Sequence, residues 1–394
     1  MFSEKIMESL SHSSWIRAMF EQGAKLAEKY GAENVYDYSL GNPYAEPPKE
    51  VQDALKKYVD GEYRGLHRYM NNAGYPEVRK QMADDINKTS KVKLGSENVI
   101  MTVGAAGGLN VTMKALLNPD EEVIIFAPYF VEYNFYASNH GGKAVVMPAN
   151  TETFGPNLEA FEAGINSKTK AVIVNIPNNP TGVIYSDSDL KKMAEIIERK
   201  EKELGITIFV ISDQPYSAIL YDNAEMPNLM NYFENAIIIN SFSKSLGLAG
   251  ERIGYIAASP QIKDVDKFML ALSFCNRTLG FVNAPGLFQK VVGDAVDAKV
   301  DVEAYKKRRD YLYDNLTKMG FEIVKPEGAF YLFPKALEDD DVAFIKKAVE
   351  HNLLLVPGSG FGCPGYFRMS YCVEMDMIER SMKAFEELAK DYNL

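Results

Sequence analysis

Residues 236–252 read AIIINSFSKSLGLAGER, and this segment is the most informative part of the chain. Its apolar start, residues 236–240, predicts a buried strand, and hydroxyl residues, glycines, a lysine and an arginine follow it. Open α/β sheets bind ligands beyond the carboxyl ends of their strands, where Lys244 falls. Lysine amines form Schiff bases, and hydroxyls and guanidinium groups bind phosphate. The alternative interpretation is a lysine in an exposed loop.

On both sides of this segment, from about Gly74 to Ser259, short β-branched runs alternate with amphipathic stretches. We predict helices that include 105–117 and 189–204. The predicted strands are 99–103, 122–126, 144–147, 171–175, 206–211, 236–240 and 252–257. This alternation predicts an α/β fold, with a mostly parallel seven-stranded sheet between layers of helices.

The pattern changes after Phe281. A long helical region reaches Met319, and strands follow near 321–324, 330–333, 353–356 and 366–371, with a helix between the second and third and another at the end. We therefore predict a smaller α+β domain. A chain of 394 residues exceeds what one core usually organises. We expect a large domain over residues 44–285 and a small domain formed by residues 1–43 and 286–394.

The bulk composition narrows the class of protein. Hydrophobic residues are 46% and charged residues 25% of the chain, which is typical of a globular protein. A net charge of −11 disfavours nucleic-acid binding. The three widely spaced cysteines indicate core thiols rather than a disulfide framework or a metal site. No signal peptide or membrane-length apolar run is evident, so we expect a cytoplasmic protein that does not bind membranes.

Two other predicted strands end in polar segments at the same sheet edge. Asp213 and Tyr216 follow strand 206–211, and Asn179 lies in the Asn-Asn-Pro-Thr-Gly loop after strand 171–175. A carboxylate beside a pyridine nitrogen keeps that nitrogen protonated, as a pyridoxal cofactor requires, and the tyrosine and asparagine can bind the ring oxygen. Taken alone, Asp213 could be a helix N-cap, Tyr216 a packing tyrosine and the loop a simple turn.

A glycine-rich segment, Gly104 to Gly108, opens the first predicted helix. Small residues there let the backbone N–H groups of Ala105 and Ala106 approach an anion, with the helix dipole behind them. The segment lacks the dinucleotide-binding pattern of glycines, and ordinary packing explains such a helix start equally well.

Together, and in this order, these segments resemble the class I/II aminotransferases, which are pyridoxal-phosphate enzymes of fold type I and include the aspartate aminotransferase superfamily. The resemblance implies that Lys244 carries pyridoxal 5'-phosphate as a Schiff base and shuttles the proton. It implies that Asp213 pairs with the ring nitrogen, while Asn179 and Tyr216 bind the ring oxygen. The phosphate would be held by Ser241, Ser243, Arg252 and the N–H groups of Ala105 and Ala106.

Further positions follow from the same resemblance. Phe130 would stack on the cofactor ring, and Arg368 would bind the substrate α-carboxylate together with Gly41 and Asn179. Tyr69 would cross a homodimer interface to the partner's phosphate, so the active sites would be shared. The alternatives are a core phenylalanine, a structural ion pair for Arg368 and a turn at Gly41.

The implied reaction is transamination between an L-amino acid and a 2-oxo acid by a ping-pong mechanism. A C–S β-lyase or a decarboxylase on the same fold would have the same cofactor residues. A ligand-sensing regulator fused to DNA-binding helices is a more distant alternative, which the short and weakly basic N-terminal arm disfavours. The substrate side chain is expected near residues 13–17, or near Arg64, His67 and Arg277 of a partner subunit, and the sequence does not assign it.

Overall fold

The protein is described by a computed structural model that covers residues 2–4, 6–7, 15–61 and 63–394, without the side chains of residues 15–18, 20 and 21. The α-helices alternate with strands through the first two thirds of the chain and continue in the last third. They are α1 Trp15–Tyr30, α2 Lys49–Asp60, α3 Pro76–Ile86, α4 Gly104–Leu116, α5 Glu132–Asn139, α6 Leu158–Gly164, α7 Asp187–Leu204, α8 Phe242–Ser245, α9 Val265–Thr278, α10 Gly286–Asp294, α11 Val302–Lys318, α12 Asp341–Glu350 and α13 Met375–Asp391.

The strands form one large and two small sheets. They are β1 Tyr36–Asp37, β2 Val99–Thr102, β3 Glu122–Phe126, β4 Lys143–Met147, β5 Thr169–Asn175, β6 Phe209–Asp213, β7 Ala236–Ser241, β8 Gly254–Ala258, β9 Tyr331–Leu332, β10 Leu353–Leu354, β11 Val356–Pro357 and β12 Phe367–Ser370. The large sheet has the order β2-β8-β7-β6-β5-β3-β4, and the small sheets have the orders β11-β12-β9 and β1-β10. The predicted α/β class and the seven-stranded sheet are confirmed.

The direction of the strands in the large sheet places the site. Strands β3 to β7 run parallel, and β8 runs antiparallel to β7 and β2. The carboxyl ends of β5, β6 and β7 therefore meet at one edge, where Asn175 pairs with Asp213 in register. Because β8 runs the other way, its first residues reach that same edge, and Ser241 pairs with Gly254.

Apolar side chains cover both faces of this sheet. Strand residues such as Ile124 and Ile238 pack on one face against α2, α3 and α7, and neighbours such as Ile125 and Ile239 pack on the other face against α4 and α9. This alternation buries the sheet between helices except at its edge strand β4, so that the polar groups at the ends of the central strands are held by a rigid frame. No described helix is both long and apolar enough to span a bilayer.

A separate core lies under the small sheets. It contains Tyr38 from the N-terminal arm and Phe330, Phe367 and Phe385 from the last third of the chain. Strand β1 pairs with β10, so the described part of the arm packs against the last third of the chain. The expected strand at 321–324 is wrong: this segment is irregular, and the buried Phe321 contributes a side chain to the core without joining a ladder.

The domain division remains a proposal, which these cores support. The division expected from the sequence is a large domain over residues 44–285 and a small domain over residues 1–43 and 286–394. Helix α10 falls in the small domain by this division, yet Val291 and Val292 belong to the core of the large sheet. We therefore place the boundary after that helix, near Val300, which packs in the small-domain core.

Candidate active site

A cavity of about 310 Å³ opens at the carboxyl edge of the large sheet and reaches the small domain. It is lined by Gly41, Ala105, Ala106, Leu109, Phe130, Tyr136, Asn175, Asn179, Asp213, Pro215, Tyr216, Ser241, Ser243, Lys244, Ala249, Arg252, Tyr331 and Arg368. With the exception of Tyr69, every residue that the sequence assigned to the cofactor or to the substrate α-carboxylate therefore lines one cavity.

Lys244 lies in the short helix α8, directly after β7. Its Nζ donates a hydrogen bond to the backbone oxygen of Gly41 over 2.7 Å and stands 5.4 Å from the centre of the Phe330 ring. Burial lowers the pKa of the Lys244 amine to about 8; the Cys372 thiol opposes this shift and the cations of Arg368 and Arg252 add to it. A larger fraction of this amine than of an ordinary lysine is therefore neutral and nucleophilic near pH 8.

Asp213 ends strand β6 and is almost fully buried. The hydroxyl of Tyr133 donates to its Oδ2 over 2.5 Å, and the Asn175 side-chain amide donates to its backbone oxygen over 3.0 Å. Its Oδ1 is buried without a hydrogen-bond partner in the described structure. Burial raises the pKa of Asp213 to about 6, against the lowering effect of the Tyr133 hydrogen bond. A buried acceptor of this kind is suited to a donor group on a ligand.

The loop after β5 is fixed by its asparagines. The Asn175 side-chain oxygen accepts from the backbone N–H of Asn179 over 2.8 Å, and the Asn178 side-chain oxygen accepts from the N–H and the hydroxyl of Thr181 over 3.0 and 2.9 Å. These bonds hold Asn179 at the cavity wall. On the next loop, the Tyr216 hydroxyl lies 2.8 Å from that of Tyr331.

The start of helix α4 and the residues after β7 form a cradle of small and hydroxyl groups. Ala105 and Ala106 open the helix, while Ser241 and Ser243 line the facing wall. Arg252 has a left-handed backbone, with φ of 55°, and its Nη1 donates to the Ala249 oxygen over 2.9 Å. A Cβ on Gly104 would stand 2.8 Å from Arg252 Nη2, so glycine leaves the space that the guanidinium fills.

Arg368 enters the cavity from the small-domain strand β12. It is buried, donates to Asn179 Oδ1 over 3.2 Å and to the Ser39 oxygen over 2.7 Å, and lies between the rings of Tyr331 and Phe361 at 4.7 and 4.9 Å. Its Nε has no partner among the described residues. A buried guanidinium with a free N–H and no carboxylate bound to it is suited to a ligand carboxylate.

Some expected residues lie elsewhere. Tyr69 is 93% exposed and does not line the cavity, and neither do Arg64, His67 and Arg277. Ser13 lies outside the described residues, as does the Arg17 side chain. Phe130 does line the cavity, and its ring meets that of Tyr133 edge-on at 5.6 Å.

The sequence missed several contributors, of which Tyr133 and Tyr331 are the most informative. Tyr133 follows Phe130 by one helical turn, and nothing in the sequence around it distinguishes it from a core tyrosine. Tyr331 comes from a strand that the sequence placed only in the small domain. The other lining residues that the sequence did not assign are Leu109, Tyr136, Asn175, Pro215 and Ala249.

Residues 32–385 match the family model "Aminotransferase class I and II", so the chain belongs to this family. Its relatives include an aspartate aminotransferase of Thermotoga maritima, 32% identical over 92% of this chain and 93% of the relative. A probable N-acetyl-LL-diaminopimelate aminotransferase of Bacillus subtilis is also 32% identical, over 90% and 89%. The crystal structure of an aminotransferase from Eubacterium rectale superposes with a TM-score of 0.97 at 43% identity and covers all of both chains.

The family uses pyridoxal phosphate, and the chain is a pyridoxal-phosphate-dependent aminotransferase. The cavity fits that cofactor by its own chemistry. It has an amine of lowered pKa, an orphaned buried carboxylate oxygen for a ring nitrogen, and an anion cradle of serines, an arginine and a helix start. The chain therefore catalyses transamination, and a lyase reaction is less well supported.

Proposed function

We propose that Lys244 is the residue that carries pyridoxal phosphate and that the reaction transfers the amino group of an L-amino acid to a 2-oxo acid in ping-pong order. The observation that carries this proposal is the convergence on one cavity of three groups: the Lys244 amine, and Asp213 Oδ1 and Arg368 Nε, which have no partner among the described residues. The first suits an aldehyde, the second a protonated ring nitrogen and the third a carboxylate.

Each wall of the cavity has one role in this proposal. Asp213 holds the proton of the ring nitrogen, and Tyr133 holds Asp213. Tyr216 and Asn179 donate to the ring oxygen, and Phe130 packs on the ring face. The phosphate is bound by Ser241, Ser243, Arg252 and the backbone N–H groups of Ala105 and Ala106.

When bound, the cofactor withdraws electrons from the substrate's α-carbon. Lys244 Nζ would be the group that accepts the proton of that carbon and gives it back later in the transfer. Its lowered pKa suits both directions, because a base with a pKa near 8 gains and loses a proton at physiological pH.

Arg368 and Gly41 select the substrate end that all amino acids share. The free Arg368 Nε and the Nη groups would bind the α-carboxylate, while Lys244 is already anchored beside them on the Gly41 oxygen. Relatives are named for aspartate, so we propose a dicarboxylic amino acid as the first donor to test. Among described residues the cavity offers no cation besides Lys244, Arg252 and Arg368, so a second carboxylate would need one from the arm or from a partner subunit.

We propose that the enzyme is a cytoplasmic homodimer. The three cysteines are buried thiols, as suits a reducing compartment. Tyr69 is almost fully exposed on a loop outside the cavity, which suits a residue that completes the active site of a second subunit.

The test of the Lys244 assignment has two parts. Borohydride treatment of the holoprotein, followed by peptide mass analysis, should find the reduced cofactor on the peptide that contains Lys244. Lys244→Ala should abolish transamination and the visible absorbance band, whereas Lys299→Ala, on a different cavity, should retain both. Wild-type turnover in Lys244→Ala, or label on another peptide, would overturn the assignment.

The lyase alternative is separated by its products. With aspartate or a panel of other donors and 2-oxoglutarate or pyruvate, transamination gives one amino acid product for each donor consumed. Release of ammonia and pyruvate from a cystathionine-like substrate, at a higher kcat/KM than any amino transfer, would favour the lyase instead.

A further inference from the structure

Strand β9 of the small domain brings Tyr331 into the cavity, and the roles proposed above leave this residue unused. Tyr331 is buried, and its hydroxyl lies 2.8 Å from that of Tyr216, with the two rings edge-on at 5.7 Å. In the described structure neither hydroxyl has another hydrogen-bond partner. The pair therefore depends on its own two protons and on whatever ligand the cavity holds.

The proton count fixes the direction of this hydrogen bond. Each phenol has a single proton to donate, although its oxygen can accept a second bond. If Tyr216 donates to the ring oxygen of the cofactor, its proton is not available to Tyr331. Tyr331 must then be the donor and Tyr216 the acceptor.

The surroundings of both phenols agree with this proton count. Burial raises the pKa of Tyr331 to about 12, and the Arg368 cation, 4.7 Å from the ring centre, opposes that rise. Burial also raises the pKa of Tyr216 well above its ordinary value. Both phenols therefore keep their protons at neutral pH, so each has one proton to donate.

Tyr331 also contacts the substrate side of the cavity. Its ring is one of the two aromatic faces against Arg368, and a Cβ on Gly41 would collide with its hydroxyl. In register, Tyr331 pairs with Ser370, two residues from Arg368. The Tyr331 side chain therefore contacts both Tyr216, which is proposed to bind the cofactor's ring oxygen, and Arg368, which is proposed to bind the substrate carboxylate.

We propose that Tyr331 is a positioning residue that donates its hydroxyl proton to Tyr216, so that Tyr216 keeps its own proton for the cofactor's ring oxygen, while the Tyr331 ring supports Arg368. This inference rests on the proposed function, because it assumes that the ring oxygen lies at Tyr216. It separates two parts of one side chain: the hydroxyl serves the cofactor, and the ring serves the substrate.

Tyr331→Phe tests this separation, because it removes the hydroxyl and keeps the ring. A hydrogen bond from Tyr216 to an anionic ring oxygen lowers the proton affinity of the group conjugated with that oxygen. Without the Tyr331 hydroxyl, Tyr216 is a weaker donor. The pKa that describes the pH dependence of the holoprotein's visible absorbance band should therefore rise by roughly half to one unit. The same change should lower kcat about 5- to 10-fold. The KM for the amino acid should change less than about threefold, because Arg368 keeps its aromatic support.

Tyr371→Phe is the matched control. Tyr371 is also a buried member of a tyrosine pair, with its hydroxyl 3.3 Å from that of Tyr221, and it does not line the cavity. Its loss should leave the absorbance pKa and kcat unchanged. In a Tyr216→Phe background, Tyr331→Phe should add no further shift, because the acceptor of its proton is gone.

Three outcomes would overturn the inference: no pKa shift in Tyr331→Phe, an equal shift in Tyr371→Phe, or a shift of the same size with and without the Tyr216 hydroxyl. The proposed function fails in a different way, since the wild-type protein would then show no visible band and no borohydride-fixed cofactor on Lys244. Failure of the inference alone would leave both of those signals intact.

Discussion

Asp213 is a carboxylate that the fold buries without a counter-charge bound to it. Its one side-chain partner in the described structure is the neutral Tyr133 hydroxyl, and burial raises its pKa to about 6. This value lies above the roughly 3.9 of an unfolded aspartate, so the folded state binds more protons between about pH 4 and pH 6. The free energy of unfolding of the apoprotein therefore decreases as the pH rises through the pKa of folded Asp213. Above that pKa the loss of stability is complete.

Asp213→Asn should consequently stabilise the apoprotein while it weakens cofactor binding. At pH 7.5 the neutral amide avoids a cost on the order of 2–3 kcal/mol, which should raise the melting temperature by a few degrees. The gain should vanish near pH 4, where the wild-type carboxyl is protonated. Melts of the cofactor-free proteins at pH 4, 6 and 7.5 measure this directly.

A second aspartate gives the contrasting control. Asp222 is bound to Arg309 over 2.6 Å, and although burial opposes it, this ion pair leaves its pKa below the ordinary value. Asp222→Asn should therefore lower the melting temperature at pH 7.5. A lower melting temperature for the Asp213→Asn apoprotein at that pH would contradict the view that the ionised Asp213 destabilises the apoprotein in the absence of the cofactor.

At the scale of elements, the antiparallel strand β8 decides how the anion cradle is built. Its first residue, Gly254, pairs with Thr102 on one side and Ser241 on the other. A Cβ there would stand 2.5 Å from the Asn240 oxygen and 3.0 Å from the Gly104 backbone. The start of helix α4 thus approaches the sheet closely because the strand offers no side chain at that point.

Gly254→Ala should push the helix start away from Ser241 and Arg252 and so weaken the cradle. We expect pyridoxal phosphate to bind about 10-fold more weakly, a loss comparable to one charge-assisted hydrogen bond. Gly250→Ala is the control, since a Cβ at Gly250 meets no atom within 4 Å. Equilibrium binding to the apoproteins compares the two, and equal affinities would show that the cradle tolerates the displacement.

The sequence predicted the large sheet well because its strands are short apolar runs and, apart from the edge strand β4, are buried on both faces. Each of the seven predicted strands of this sheet overlaps an observed one. The positions of these strands also located the polar residues at the ends of β5, β6 and β7. The segment 321–324 shows the limit of this signal. Phe321 packs its ring against Phe367 and Phe385, so the apolar pattern reports burial there and not strand pairing.

Tyr133 and Tyr331 could not be predicted as site residues for a related reason. Both are buried, and nothing in the local pattern separates a tyrosine in a core from one at a cavity. Their roles depend on how helix α5 and strand β9 dock beside the ends of β6 and β12, which is a property of the tertiary arrangement. The sequence therefore indicated the site residues that directly follow strands, and it did not indicate the tyrosines that contact those residues.

Across the molecule several large apolar side chains are exposed, and three of them bear on the proposed homodimer. Tyr69 is 93% exposed, and Leu270 and Phe274 on α9 are 71% and 56% exposed, with the Arg277 guanidinium 5.3 Å from the Phe274 ring. Aromatic and aliphatic side chains of this size are typical of the centre of a protein interface. The proposed homodimer would bury them and would bring Tyr69 to the cavity of the partner.

A mixture of two defective variants tests whether Tyr69 acts across that interface. Lys244→Ala should be inactive, and Tyr69→Phe should need more cofactor because its hydroxyl no longer reaches the partner's phosphate. In a hybrid of the two, the site with an intact Lys244 receives an intact Tyr69 from the other subunit. Random exchange should therefore restore about a quarter of the wild-type activity at limiting cofactor, since half of the dimers would be hybrids with one complete site each. If Tyr69 served its own subunit, or if the protein were a monomer, mixing would restore nothing beyond the activity of Tyr69→Phe alone, and the shared site would have to be abandoned.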